Sequence, residues 1–327
     1  YHIEKTKLSL REEEKAAEIP VPLQSPLTVG LFAGKWCSYS ATPDLPHDQR
    51  QEDGGALIFD SEPMEKGMEI LGQPVVELVL SSDQPVAMVA VRLSDLAPDD
   101  KATRVTYGVL NLTHRDSHEH PQPLQPGHQY RVRVKLNDIA QSFPAGHRFR
   151  IAISTSYWPL AWPPPRPVRL MILTGASRVI LPVRSPSQLD AQLQPFAEPE
   201  AARLPKTRQL NKTSSNWRVI RDLENDLSTL EVIKDEGVVQ IGEIDLEMEK
   251  CVEEWYSFRG DDFNSVRGEV LSHRGVRRGK WHVNTVTRTV LQSDAEKFDL
   301  HADLDAYENG FRVYTRSWQQ QIPRVNL

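Results

Sequence analysis

The chain has 327 residues, with 39 Lys plus Arg against 45 Asp plus Glu for a formal charge of −6; hydrophobic residues make up 39% and charged residues 26%. That balance excludes a disordered or collagen-like chain and a disulfide-rich scaffold, and it offers no basic field for a nucleic-acid partner. No apolar run approaches the roughly 20 residues that cross a bilayer as a helix, so no membrane partner is expected.

In chain order, residues 4–18 mix Glu and Lys with good helix propensity and a weak apolar face, which predicts a surface helix or linker ending near residue 24. The two cysteines, Cys37 and Cys251, lack CxxC spacing, which fits a cytoplasmic location and leaves one disulfide open. The first residue is Tyr1, not Met, which points to a processed chain or a piece of a longer one. The 24 prolines outnumber the 17 glycines and fall often enough in the first two hundred positions to break long helices. Strands are predicted instead at 74–80, 86–93, 104–112, 129–136, 147–154, 168–173 and 178–183. The clearest is 129–136, where Tyr130, Val132, Val134 and Leu136 alternate with Arg131, Arg133 and Lys135. Residues 147–154 repeat the pattern, with Phe149, Ile151 and Ile153 on one side and Arg148 and Arg150 among their neighbours. Residues 186–215 are polar and proline-containing, a long connection with one short helical turn in LDAQLQPF. Strands resume at 217–220, 229–233, 238–241, 281–291, 298–304 and 311–318, rich in β-branched and aromatic residues. The reading is all-β with little helix: a jelly-roll antiparallel β-sandwich, one large domain over 25–327.

The motifs point away from catalysis by this chain. GxSxG, which seats a serine nucleophile on a strained turn, is absent, so no catalytic residue is assigned. Gly30-Leu-Phe-Ala-Gly34-Lys35 has three residues between its glycines where a phosphate loop has four, and Trp36 stands where Ser or Thr would ligate magnesium. It reads instead as an apolar loop presenting Leu31, Phe32 and Trp36, either closing one end of the sandwich or facing a partner. His114, His118 and His120 lie in THRDSHEH without a metal-binding frame, so no metal or cofactor is expected; a solvated loop is the plainer reading. In SYWPLAWPPP, prolines hold Tyr157, Trp158 and Trp162 on a stiff segment, which serves either as a lid on the core or as a surface for stacking sugars or contacting protein.

A family resemblance rests on an ordered series: LPHDQRQEDGGALIFDSEP, EILGQPVVELVLSSDQPVAMVAVRLSD, RVTYGVLNLTHRDSHEHPQPLQPG and FPAGHRFRIAISTSYWPLAWPPP, followed by LPVR. It resembles the C-terminal domain of the X-Pro dipeptidyl-peptidase and cocaine-esterase hydrolases, most densely from Asp44 to Arg184 and more weakly to the end. The resemblance implies a serine hydrolase parent with an α/β-hydrolase domain, a helical cap and a C-terminal jelly roll of the galactose-binding type. It implies an acyl-enzyme chemistry whose nucleophile, acid and base all lie upstream of Tyr1. It further implies that the sandwich packs on the N-terminal α/β-hydrolase domain and lends apolar surface to the acyl pocket, with the Leu31–Trp36 loop as candidate. Two other readings are carried beside it: a free-standing carbohydrate-binding module using Trp158 and Trp162, and a docking or homo-oligomerisation module exposing an apolar patch.

Overall fold

The computed structural model describes residues 1–3, 8, 9, 18–36 and 44–327. They form two compact units, Tyr1–Ser187 with Val325–Leu327, and Gln188–Arg324. The single sandwich expected over 25–327 is therefore replaced by two bodies, because the strands after residue 206 hydrogen-bond only among themselves.

The first unit carries β1 (His2–Ile3), β2 (Leu8–Ser9), β3 (Ile19–Leu23), β4 (Leu57–Asp60), β5 (Met68–Gly72), β6 (Val75–Ser82) and β7 (Met88–Leu96). It continues with β8 (Ala102–Asn111), β9 (Gln129–Lys135), β10 (Ile139–Phe143), β11 (Arg148–Ser154), β12 (Leu170–Thr174), β13 (Arg178–Ile180) and β14 (Val183–Arg184). One sheet runs β2-β1-β13-β6-β12-β3, with β9 on the other side of β6; a second runs β4-β11-β7-β8, and a third, small one runs β10-β5-β14. All ladders are antiparallel. The core lies between the first two sheets. Val76, Leu78 and Leu80 of β6 and Val132 and Val134 of β9 cluster with Val89, Val91 and Leu93 of β7 and Phe149, Ile151 and Ile153 of β11. Each is at most 2% exposed, and each buried side chain of this size contributes about 1.5–3 kcal/mol. The alternation in 129–136 and 147–154 thus marks the inward face of a β-sandwich.

The N-terminal helix is not what its described residues form. Leu8 pairs with Ile3 in the β2–β1 ladder, and both side chains are buried, so pairing and burial override the propensity of the charged residues around them. Residues 4–7 and 10–17, which carry most of that expectation, lie outside the described residues. Ile19–Leu23, expected at the end of a linker, pairs with β12 instead.

The second unit opens with a 3₁₀ turn at Gln188–Gln192 and holds β15 (Thr207–Gln209), β16 (Ser214–Asp222), β17 (Leu227–Ile241), β18 (Leu246–Arg259) and β19 (Arg267–Arg278). It ends with β20 (Trp281–Ser293), β21 (Lys297–Glu308) and β22 (Phe311–Pro323). From β17 to β22 the strands form an antiparallel meander, with β15 and β16 both on the outer side of β17. The expected strands at 229–233 and 238–241 are one strand interrupted by a bulge between Asp235 and Val238. β18 and β19 had no counterpart in the sequence reading. Their alternation is blurred by charge pairs that cross the ladder, Glu247 with Arg277 at 3.9 Å and Glu249 with His273 at 3.7 Å.

Candidate functional site

The four-stranded sheet has a second face, turned away from the core. Its register places Arg92 of β7 beside Ala152 of β11 and Tyr107 of β8, and places Arg150 of β11 beside Asp60 of β4. That face is covered rather than wet. Val29 and Ala33 from one loop and Tyr157 from another pack with Met88, Ala90 and Tyr107 of the sheet. The two segments singled out separately in the sequence, 30–36 and 157–162, are therefore neighbours.

They meet at Gly30. Its φ is +119°, and a Cβ there would lie 2.1 Å from the Trp158 carbonyl oxygen, so only glycine lets the loop backbone meet that of the aromatic segment. Nearby, Ser25 and Thr155 exchange hydrogen bonds, each backbone N–H donating to the other's hydroxyl at 2.9 and 3.1 Å.

The loop is held from beneath by Glu52, in the one-turn helix Arg50–Asp53. Its carboxylate accepts the Gly30 N–H at Oε2, 2.5 Å, and the Phe32 N–H at Oε1, 2.6 Å. The Arg92 guanidinium, 1% exposed at its side chain, lies 3.8 Å from Glu52 Oε2 and donates to Asp53 at 3.0 Å and Gln49 at 3.1 Å. Gln49 donates onward to the carbonyls of His47 and Phe32 at 2.7 and 3.3 Å. Arg150 bridges Asp53 and Asp60, with a bidentate grip on Asp60 at 2.6 and 2.7 Å. Burial pushes the Glu52 carboxyl up from the usual range, while Arg92 and the two amides pull it back. A buried carboxylate with both oxygens so occupied fixes the backbone it binds, and removing one partner of such a set is costly.

On this loop Trp36 is 78% exposed and Phe32 is partly buried. Leu31, expected to face outward with them, is 5% exposed and turned inward. The aromatic segment divides differently. Tyr157 and Trp158 are 0% and 1% exposed, so they are not a stacking surface for sugars. Tyr157 accepts a hydrogen bond from Arg104 at 2.6 Å and packs on Tyr107, and burial pushes its hydroxyl up despite the nearby arginines. Trp162 is half-buried and meets Trp158 edge-on, with ring centroids 4.9 Å apart. Of the three rings, Tyr157 and Trp158 are interior and Trp162 is partly exposed.

Glu52, Asp53, Arg92 and Gln49 were absent from the expected site. Three of them stand in HDQRQEDGG, part of the stretch that carries the resemblance. The histidines of THRDSHEH lie apart from this region; His114 and His118 rings sit 5.5 Å apart at the end of β8. Around Glu52 both carboxylate oxygens, the Asp53 carboxylate and the Gln49 amide are engaged, while Arg92 Nε is buried without a hydrogen-bond partner among the described residues.

Over 116 residues the chain is 25% identical to the cocaine esterase of Rhodococcus sp., covering 35% of this chain and 20% of that protein. An aminopeptidase from a marine sediment Thaumarchaeota archaeon superposes with a TM-score of 0.50 at 20% identity, over 56% of this chain and 36% of that one, and shares the fold. An α-amino acid ester hydrolase gives a TM-score of 0.48 at 22% identity over the same shares of the two chains. This chain spans about a fifth of the length of the curated relatives it matches. Residues 4–190 match the family described as the X-Pro dipeptidyl-peptidase C-terminal non-catalytic domain, more than half of the chain and nearly the whole first unit, and the chain belongs to that family.

Proposed function

We propose that the first unit packs on the α/β-hydrolase domain of a serine hydrolase parent and shapes its acyl pocket with the loop that carries Phe32 and Trp36. The observation that supports this reading most is an indole 78% exposed on a loop whose backbone is clamped by a buried carboxylate. An exposed indole on a backbone held in place suits contact with a partner surface, since aromatic residues are enriched in such contacts. Attack by serine, proton transfer and oxyanion stabilisation would belong to the parent's catalytic half.

The reading separates into two tests. This chain alone, offered p-nitrophenyl esters and X-Pro anilides, is expected to show no turnover that a serine reagent abolishes; such turnover would overturn the non-catalytic role. In a polypeptide carrying the hydrolase domain upstream, Phe32→Ala and Trp36→Ala are expected to raise KM or lower the melting temperature. Kinetics and melting both unchanged by the double substitution would overturn the pocket-shaping role.

A further inference from the structure

β22 is the last strand of the second unit's meander and pairs with β21 on one side only among the described residues. All of its residues from Phe311 to Pro323 are exposed. An open edge of this length offers a row of unpaired N–H and C=O groups, and proteins guard such edges with charges, proline or bulges. Here the guards stand at the ends. A bulge interrupts the ladder where Ala306 and Tyr307 face Tyr314 and Arg312, and Pro323 closes the strand. Between them, residues 314–322 carry one charge, Arg316, whose guanidinium lies 4.8 Å over the Trp318 ring.

The register with β21 sorts this strand into two faces. Tyr314, Trp318 and Ile322 stand beside Ala306, Ala302 and Phe298. The opposite face is polar, with Ser317 bonded to Asp303 at 2.6 Å and Gln321 to Asp299 at 2.7 Å.

We infer that β22 is the pairing edge of a two-fold homodimer, in which two copies of β22 run antiparallel about an axis through Trp318. The strand is complementary to itself in that register. Trp318 meets its own copy on the axis, Tyr314 faces Ile322 of the second copy, and Arg316 faces Gln320, so no like charges are opposed between Val313 and Pro323; beyond them Arg312 falls opposite Arg324 of the second copy. On the polar face Ser317 meets Gln319 and Thr315 meets Gln321. Aromatic and β-branched residues directly opposite one another are favourable cross-strand pairs, and the two-fold axis keeps each face continuous from one copy to the next. A β22 edge added to the β16 edge of another copy would instead propagate without closing.

The test is sedimentation equilibrium of the whole chain over a wide concentration range, with far-ultraviolet circular dichroism to verify folding. The wild-type chain is expected to follow a monomer–dimer equilibrium. Gln320→Glu places an acid opposite each Arg316, and two such pairs should tighten dimerisation by roughly two- to thirtyfold. Gln320→Arg should weaken it comparably, and Trp318→Lys should leave folded monomer. A chain monomeric at all concentrations, a dimer indifferent to residues 318 and 320, or assembly beyond a dimer would each overturn the inference. The outcome does not depend on the role assigned to the Phe32 and Trp36 loop.

Discussion

Both oxygens of the Glu52 carboxylate are taken by backbone N–H groups of the loop it supports, which makes the residue sensitive to a change of a single atom. In Glu52→Gln an amide NH₂ would face an N–H donor, leaving a buried group unsatisfied. The expected loss is about 1–3 kcal/mol in urea unfolding, whereas Trp36→Ala, on exposed surface, should stay within about 0.5 kcal/mol. Equal effects from the two would show that Glu52 does not clamp the loop. Gly30→Ala should be worse than either, since its Cβ meets backbone at 2.1 Å where φ is already positive; the expected outcome is little folded protein on expression. At this scale the sequence shows that a glycine and an aromatic loop are present. That the acids of HDQRQEDGG lie beneath it follows only from the chain's return to that sheet.

Among the elements, the strands of the first unit are legible because their inward residues alternate against solvated neighbours, as in β9. β18 and β19 escape the same reading because charged residues satisfy one another across their ladder. Glu269 of β19 is held by Arg267 at 2.6 Å and Arg288 at 2.7 Å. Burial alone would raise its carboxyl, yet the two arginines hold it below the usual range. The unfolded state then binds the proton more readily. The stabilisation is fully present above the unfolded value of about 4.3 and is lost as pH falls through the lower folded value. Glu269→Gln should therefore reduce stability at neutral pH and flatten its decline below about pH 4, as followed by circular dichroism against urea. A variant with the wild-type slope would locate the acid sensitivity elsewhere in the sheet.

For the whole molecule, the division into two units predicts where the chain is first cut. Residues 193–206 carry no helix or strand and are exposed, and Arg203 and Lys206 lie within them. Limited trypsin digestion should cleave there first, since exposed connections outside ordered ladders are preferred sites, and leave both sheet systems intact by mass. First cuts inside β17–β22 would contradict the division. The sequence by itself determined an all-β chain with little helix, strands matching β6, β7, β9 and β11, and a resemblance to its family, because alternation and turn residues are local properties read along one strand. Only the tertiary structure decided that the last eight strands form a separate body, that Tyr157 and Trp158 are interior, and that Glu52 and Arg92 hold the loop of Trp36. Each of those depends on which segments meet across the fold, and pairing between distant strands and burial of charge against charge leave no period in the sequence.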